Sequence, residues 1–330
     1  LVHCSNFFSI PKQIQLAETL CKISKMHRVF FSNSGAEANE AAIKIARLHG
    51  NKCGLKLPTI VVMDDAFHGR TMATLSASGG RKVQAGFEPL VSGFVRAPFN
   101  DIPSVERIAS NNANICAVFV EPIQGEGGIN IPNKNYLNEL QSLCKTNNWL
   151  LMIDEVQTGN GRTGKYFCYQ HNDIVPDVVT TSKGLGNGVP IGACLASNWA
   201  ADLMKPGNHG STFGGNPLSC AAALASVEYI CKENLSERAE IIGKSIMHGL
   251  ELRLKNATNV SDIRGKGCMI GIQLDRPCKS LFNSALDKGL LINVTADSVI
   301  RLLPPLIMSD DQIDLLVDIL APLILDFVED

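Results

Sequence analysis

The feature that most restricts the fold of this chain is a series of short apolar runs with helical stretches between them. The runs lie in RVFFSNS, TIVVMDD, GFVRAPF, ICAVFVE and WLLMIDE. They are apolar at consecutive rather than alternate positions, which is typical of strands that are buried on both faces of a parallel sheet. The sequence therefore predicts an α/β fold with a mainly parallel central sheet covered by helices.

A change of pattern in the last third of the chain predicts a second domain. Two long helical stretches, Pro217–Lys232 and Leu235–Leu254, are followed by SDIRGKGCMIGIQL, LLINV, VIRLLPP and a final helix from Asp310. We expect a large α/β domain over residues 1–235 and a smaller C-terminal α+β domain over residues 236–330.

The start of the chain reads like the middle of a longer sequence. Its first residue is Leu1 rather than methionine, and we expect a preceding segment to be missing. Within the opening stretch, Ser9 is predicted to cap a helix that runs from Pro11 to about Ser24.

Composition limits the class of ligand and the compartment. The formal net charge of the 330 residues is −2 with both signs spread along the chain, so we expect a small ligand rather than nucleic acid or a membrane surface. Eleven cysteines without a CxxC pair indicate reduced thiols. No apolar run approaches the roughly 18 residues of a membrane helix, and no signal peptide is recognisable. The prediction is a cytoplasmic protein, and the histidine spacing predicts no metal site.

The stretch LLMIDEVQTGNGRTGKY allows three interpretations. As an NTPase loop it fails, because Lys165 is followed by Tyr166 rather than by the Ser or Thr that binds Mg²⁺. As a dinucleotide fingerprint it is weak, because the glycines do not directly follow the strand and no amphipathic helix comes after them. The glycines are predicted to shape a loop. What remains is Asp154 at the carboxyl end of a buried strand, where open α/β sheets bind ligands, although a capping role is commoner.

A lysine and a helix start add to this aspartate. Lys183, in TTSKGLGNGVPIGA, is predicted to lie buried in a crowded backbone environment that favours a nucleophilic, Schiff-base-forming amine. A lysine that holds an aldehyde and a carboxylate that keeps a pyridine nitrogen protonated are the minimum for pyridoxal phosphate chemistry. In NSGAEANEAA, Ser34, Gly35 and Ala36 enter a helix whose free N–H groups suit a phosphate. An ordinary capped helix is the alternative for this segment.

Together these segments resemble a known family. FFSNSGAEANEAAIKIAR, DDAFHGRTMATLS, VEPIQGEGG, LMIDEVQTGNGRTG, TTSKGLGNGVPIGA and HGSTFGGNPLSCAAA occur in the order found in class III pyridoxal-phosphate aminotransferases. SDIRGKGCMIGIQL and GLLINVTADSVIRLLPPL are most similar to the bacterial acetylornithine branch of that family. The resemblance extends over residues 1–330. It implies a fold-type I transferase and a homodimer with active sites at the subunit interface.

The resemblance also implies a reaction. The terminal amino group of N2-acetyl-L-ornithine would pass to 2-oxoglutarate in a ping-pong mechanism, with pyridoxal 5'-phosphate as cofactor, in arginine biosynthesis. The products would be N-acetylglutamate 5-semialdehyde and glutamate. The alternatives are an aminotransferase for ornithine, succinyl-diaminopimelate or 4-aminobutyrate, an aminomutase of the glutamate-1-semialdehyde type, a decarboxylating relative, or a non-catalytic relative.

Cofactor-binding residues follow from the same resemblance. Lys183 matches the Schiff-base lysine and Asp154 the partner of the pyridine nitrogen. Gln157 matches a residue near the ring hydroxyl, and Phe67 matches one on the ring face. The turn of Ser34, Gly35 and Ala36 matches the phosphate-binding turn. Thr212 matches a residue at the phosphate of the neighbouring subunit's cofactor. By its local sequence alone, core packing is the commoner role for a residue such as Phe67.

Substrate-binding residues are implied as well. Arg70 and Arg301 match positions that bind substrate carboxylates, although a structural salt bridge is the usual role of an arginine. Ser211 matches a substrate contact, but Ser-Thr pairs before helices are also common caps. Glu126 matches an acid that pairs with Arg301 and releases it for glutamate, and a carboxylate facing water is an equally good interpretation.

Overall fold

The structure is a computed structural model that describes residues 1–329. The chain divides into two compact units. The first comprises residues 1–122, 132–160 and 169–229. The second comprises residues 123–131, 161–168 and the chain from residue 230 onward. Compared with the predicted domains, the second unit therefore also takes in two short segments from the middle of the chain.

A seven-stranded sheet forms the centre of the first unit. Its strands are β1 (Arg28–Ser32), β2 (Thr59–Met63), β3 (Phe94–Ala97), β4 (Ile115–Val120), β5 (Leu150–Asp154), β6 (Val178–Thr181) and β7 (Gly192–Ala196), in the spatial order β1-β7-β6-β5-β4-β2-β3. Strands β2 to β6 pair in parallel, and β7 is antiparallel to both of its neighbours. The predicted α/β fold with a mainly parallel sheet is confirmed.

The helices of this region are α1 (Pro11–Ser24), α2 (Gly35–Lys52), α3 (Met72–Ala77), α4 (Arg81–Gln84), α5 (Ile102–Asn111), α6 (Tyr136–Asn147), α7 (Asn198–Ala201) and α8 (Pro217–Lys232). The predicted bounds of α1 are confirmed, but its predicted cap is wrong. Ile10 is the N-cap and makes no side-chain cap bond. Because Pro11 opens the helix with a fixed φ and no N–H, the first turn lacks one of the donors that a Ser9 cap would serve.

Helix α2 shows how the sequence positions the ligand-binding edge of the sheet. Ser34 caps it by accepting the Glu37 N–H at 3.2 Å. Small alanines form its buried face, at Ala38, Ala42 and Ala46, so that the helix packs closely on the strands below. The N-terminus of α2 is thereby fixed beside the carboxyl end of β1.

The second unit contains a four-stranded antiparallel sheet in the order β10-β11-β9-β8. Its remaining elements are α9 (Leu235–Leu254), β8 (Val260–Lys266), β9 (Met269–Leu274), α10 (Leu281–Asp287), β10 (Asn293–Thr295), β11 (Val299–Leu302) and α11 (Asp310–Glu329). Buried residues of α9, α11 and the sheet form one apolar core. The predicted helices α8 and α9 and the start of α11 are confirmed.

None of the helices in residues 1–329 has the length and apolar character needed to cross a membrane. Over the same residues, no three His, Cys, Asp or Glu side chains form a group that could hold a metal ion.

The cap of α5 carries a pH prediction. The Ser104 hydroxyl donates to Asp101 Oδ2 at 2.5 Å and the Ser104 N–H to Oδ1 at 3.0 Å, and both bonds lower the pKa of the Asp101 carboxyl. A carboxyl whose pKa is lower in the folded chain stabilises the fold above its unfolded pKa of about 3.9, and this stabilisation is lost as the pH falls through the folded pKa. In Asp101→Asn we expect this loss to disappear. Unfolding free energies of wild type and Asp101→Asn at several pH values between about 2 and 6 test this prediction. A difference in unfolding free energy between the two proteins that is the same at every pH would contradict it.

Candidate active site

Three chain segments of the first unit meet at the carboxyl edge of the parallel strands. Asp154 ends β5, Lys183 follows β6, and Gly35 begins α2 after β1. Parallel strands bring their carboxyl ends to one edge, where open α/β sheets bind ligands. A cavity of about 250 Å³ lies there, lined by Gly35, Ala36, Asn39, Phe67, His68, Gly69, Arg70, Glu121, Asp154, Val156, Gln157 and Lys183. Seven of the residues predicted from the sequence thus surround one cavity.

Asp154 is held in this cavity by three hydrogen-bond donors. Its side chain is 4% exposed. Oδ1 accepts the Val156 N–H at 2.9 Å, and Oδ2 accepts Asn39 Nδ2 and His68 Nδ1, each at 2.8 Å. Bonds to a buried carboxylate of this kind compensate its negative charge and fix the plane of the group. Asp154 therefore presents a fixed negative charge to the cavity.

The surroundings of His68 fit a neutral imidazole ring that donates a hydrogen bond to Asp154. Its Nδ1 faces the Asp154 carboxylate, and the ring stacks on Phe119 at 4.1 Å between centroids. Its Nε2 is buried and has no hydrogen-bond partner in the described part of the chain. This geometry assigns the ring proton to Nδ1, because a proton on Nε2 would lie in apolar surroundings without an acceptor.

Lys183 differs from the prediction in one respect. Its backbone is crowded as expected, since a Cβ added at Gly186 would lie 2.1 Å from the Val189 carbonyl oxygen. The expected burial of the lysine is wrong, because its side chain is exposed. Close backbone packing of the glycine-rich turn, together with φ +45° at Lys183, sends the side chain into the open cavity. The amine is accessible to a ligand there.

The start of α2 suits an anionic group. A Cβ at Gly35 would lie 2.7 Å from Val156 Cγ1, so any larger residue would have to displace the Val156 side chain beside the cavity. Gly35 and Ala36 line the cavity in the first turn of α2, where backbone N–H groups lack helical acceptors and the helix dipole is positive. Ser34, which is also predicted for the phosphate, caps this helix through the Glu37 N–H.

The remaining groups complete the fit to pyridoxal 5'-phosphate. Among residues 1–329 the buried Oε1 of Gln157 has no hydrogen-bond partner, and Phe67 adds an aromatic ring to the cavity wall. A cofactor with a phosphate, an aromatic ring, a pyridine nitrogen and an aldehyde finds one matching group for each in this cavity.

Ser211 and Thr212 are not among the residues that line the cavity. The Ser211 hydroxyl accepts hydrogen bonds from Asn33 Nδ2 at 3.1 Å and from the Gly214 N–H at 3.2 Å, so it organises its own loop. Thr212 is exposed.

Within the second unit, Glu126 and Arg301 form an ion pair. Arg301 Nη1 lies 2.7 Å from Glu126 Oε1, and Arg301 Nη2 donates to Asn293 Oδ1 at 3.0 Å. The Arg301 side chain is 9% exposed and that of Glu126 40%. The predicted pairing is therefore present, and the alternative of a carboxylate that only faces water is not what the geometry shows. Asn293 holds the arginine independently of Glu126.

Comparison with known proteins identifies the family. The model of the aminotransferase class-III family matches residues 1–324. The chain is a class III aminotransferase. It is 52% identical over 329 residues to the acetylornithine aminotransferase of Nitrosomonas europaea, a match that covers 100% of this chain and 84% of that protein.

Solved structures agree with this family. The acetylornithine aminotransferase of Elizabethkingia anophelis matches with a TM-score of 0.87 and 36% identity, over 99% of this chain and 82% of that one. An ornithine aminotransferase of Toxoplasma gondii, whose active site holds pyridoxal phosphate at partial occupancy, matches with a TM-score of 0.95 and 31% identity, over 100% and 81% of the two chains. The fold-type I architecture of the aminotransferase is thereby confirmed.

The sequence does not identify three polar residues of the cavity of this aminotransferase, His68, Asn39 and Glu121. The histidine spacing predicts only that there is no metal site, and it gives His68 no role beside Asp154. The Glu121 carboxylate accepts the Phe67 N–H at 3.0 Å and lines the cavity. A usable signal existed, because Glu121 directly follows β4 and His68 lies shortly after β2, at the same edge of the sheet as Asp154. Asn39 had only its position one turn after Gly35 in α2 as a signal.

Proposed function

We propose that this aminotransferase uses pyridoxal 5'-phosphate to move the terminal amino group of N2-acetyl-L-ornithine to 2-oxoglutarate. The observation that carries the proposal is the cavity that combines the accessible Lys183 amine with the fixed, buried carboxylate of Asp154. The choice of donor is supported by the name and the 52% identity of the Nitrosomonas europaea relative.

The proposed chemistry divides between the cofactor and the chain. When bound, pyridoxal phosphate supplies an aldehyde for the amine and a ring that accepts electrons from the substrate carbon. Lys183 would hold the aldehyde until the donor amine replaces it, and its Nζ would then take a proton from the amine-bearing substrate carbon and deliver it to the former aldehyde carbon. Asp154 would keep the ring nitrogen protonated, and His68 and Asn39 hold Asp154 in position.

The proposed substrate contacts use two arginines. Arg70, which is exposed at the cavity, binds a carboxylate of the donor or of 2-oxoglutarate through its planar guanidinium. Arg301 binds the second carboxylate of 2-oxoglutarate. Glu126 masks the charge of Arg301 when the substrate offers no carboxylate for that position. One arginine thereby serves two different substrates, as a ping-pong reaction requires.

We further propose a homodimer. The loop of Ser211 and Thr212 stays outside the cavity of its own chain, which supports a role of Thr212 at the cofactor of a second copy. Large apolar side chains are exposed in the same region, with Phe7 at 96%, Phe8 at 69% and Phe213 at 58%. Exposed apolar residues in such number are typical of surfaces that another chain covers.

The visible absorption spectrum of the purified chain with added pyridoxal phosphate tests the function. We expect a cofactor band that N-acetylornithine removes and 2-oxoglutarate restores. Ornithine, succinyl-diaminopimelate and 4-aminobutyrate serve as comparison donors in the same assay. A band that no donor changes would contradict transamination, and turnover without any 2-oxo acid would indicate an aminomutase.

Ornithine is the second candidate donor. The Toxoplasma gondii ornithine aminotransferase matches the fold over the full chain with a TM-score of 0.95, although at lower identity than the acetylornithine relative. The two donors differ in the charge at the α-nitrogen, so the ratio of their rates in the first half-reaction decides between them.

A further inference from the structure

The segment that carries Glu126 is a closed and strained loop. Gln124 and Asn130 exchange backbone hydrogen bonds of 3.1 Å each, which ties the two ends of the loop together. Inside it, Gly128 has φ +118° and Ile129 has φ +55°. A β-branched residue in the left-handed region is unfavourable and persists only when its surroundings impose the conformation.

Arg264 of β8 holds the backbone of Gly128 and Ile129 in this conformation. Arg264 Nη2 donates to the Gly128 carbonyl at 2.5 Å and Arg264 Nε donates to the Ile129 carbonyl at 3.0 Å. The other side of its guanidinium pairs with Asp262, through Nη1 at 2.9 Å. The rigid fork of an arginine can bind two successive carbonyls in this way, and a lysine ammonium cannot reproduce the geometry.

Packing against β9 also fixes the 124–130 loop. The side chain of Ile129 is fully buried, and a Cβ added at Gly271 would lie 3.0 Å from Ile129 Cβ. The Thr295 hydroxyl donates to the Glu126 carbonyl oxygen. Side-chain hydrogen bonds to backbone carbonyls therefore fix the loop on both sides of Gly127. The Glu126 carboxylate lies 2.7 Å from Arg301 Nη1.

We propose that Arg264 is a positioning residue that holds the 124–130 loop so that Glu126 masks Arg301, and that it thereby sets how readily Arg301 accepts a substrate carboxylate. This inference rests on the proposed function for its biological meaning. The physical effect itself does not depend on that function. Without the hydrogen bonds from Arg264, Glu126 contacts Arg301 for less of the time, and a dicarboxylate competes for the arginine more easily.

The test compares Arg264→Lys, Glu126→Gln, the double variant and the matched control Arg276→Lys. Arg276 lies in the same unit, pairs with its neighbour Asp275 and is 40% exposed. The probe is glutarate, a dicarboxylate without a reactive amino or oxo group, whose binding to the cofactor-loaded chain is measured by calorimetry. Hydrogen exchange at the Gln124 and Asn130 amides reports the loop directly.

We expect Arg264→Lys to bind glutarate roughly threefold more tightly and to exchange the two loop amides roughly tenfold faster than wild type. Glu126→Gln should bind glutarate roughly tenfold more tightly, because it leaves Arg301 without a competing carboxylate. The double variant should match Glu126→Gln alone, since Arg264 acts through Glu126. Arg276→Lys should change neither measurement.

Three results would overturn the inference. In the first, the loop amides of Arg264→Lys exchange at the wild-type rate. In the second, Arg264→Lys lowers the melting temperature but leaves glutarate affinity unchanged, as a purely structural arginine would. In the third, its effect on glutarate persists in full when Glu126 is already Gln. If wild type binds glutarate but transaminates no donor, the proposed function fails, whereas the exchange and glutarate measurements still decide the role of Arg264.

Discussion

Lys183→Ala is expected to reduce transamination by at least about 10³–10⁴-fold, because among residues 1–329 no other lysine lines the cavity to hold the aldehyde and to move the proton at the substrate carbon. The fold should be unaffected. The lysine side chain is exposed, and substitutions at such positions usually change the free energy of unfolding by no more than about 0.5 kcal/mol. Cofactor binding without a covalent bond should persist, since Gly35, Ala36 and Asp154 remain.

Lys165→Ala is the matched control for this variant. Lys165 is also exposed and follows a glycine, and it would be the essential residue if GNGRTGK were a nucleotide-binding loop. Single-turnover rates with N-acetylornithine, melting temperature and cofactor retention on gel filtration are measured for both variants. A Lys183→Ala enzyme with comparable turnover, or a Lys165→Ala enzyme without it, would contradict the assignment of the lysine.

Asp154→Asn is expected to lower kcat roughly 10²–10³-fold, as is usual when one preorganised group that stabilises developing charge is removed. The amide carries no negative charge to keep a pyridine nitrogen protonated. It also brings donors together, because its NH₂ would face either the Val156 N–H or the pair of Asn39 Nδ2 and His68 Nδ1. We expect this mismatch to cost about 1–3 kcal/mol of unfolding free energy, the range for a buried unsatisfied group.

Asp202→Asn controls for the loss of one charge, since the Asp202 side chain is 57% exposed at the surface of the same unit. Denaturant unfolding gives the stability of the two variants, and the half-reaction with N-acetylornithine gives their rates. An Asp154→Asn enzyme that keeps both its stability and kcat would show that the carboxylate neither holds its three donors together nor serves the reaction.

Several elements of the fold were predictable because their signal is local. The continuous apolar runs became β1 to β5, and the stretches at Pro217 and Leu235 became α8 and α9 with the predicted bounds. The antiparallel direction of β7 was not predictable. A strand that is buried on both faces has the same apolar pattern in either direction, so GACLA does not reveal how it pairs.

The Ser9 cap and the burial of Lys183 failed for a related reason. Both were inferred from neighbouring residues in the sequence, whereas the outcome depended on backbone geometry. Pro11 opens α1 with a fixed φ, and the left-handed φ of Lys183 turns its side chain into the cavity.

The sequence by itself determined the α/β class, the strand-end positions of Asp154 and Lys183 and the helix start at Gly35, because each depends on residues that are close together in the chain. Only the tertiary structure decided what surrounds them. His68 and Asn39 reach Asp154 across 86 and 115 positions, Glu126 reaches Arg301 across 175, and Arg264 reaches Gly128 across 136. Hydrogen bonds act over about 3 Å, so such pairs exist only after strand order and register have brought distant segments together.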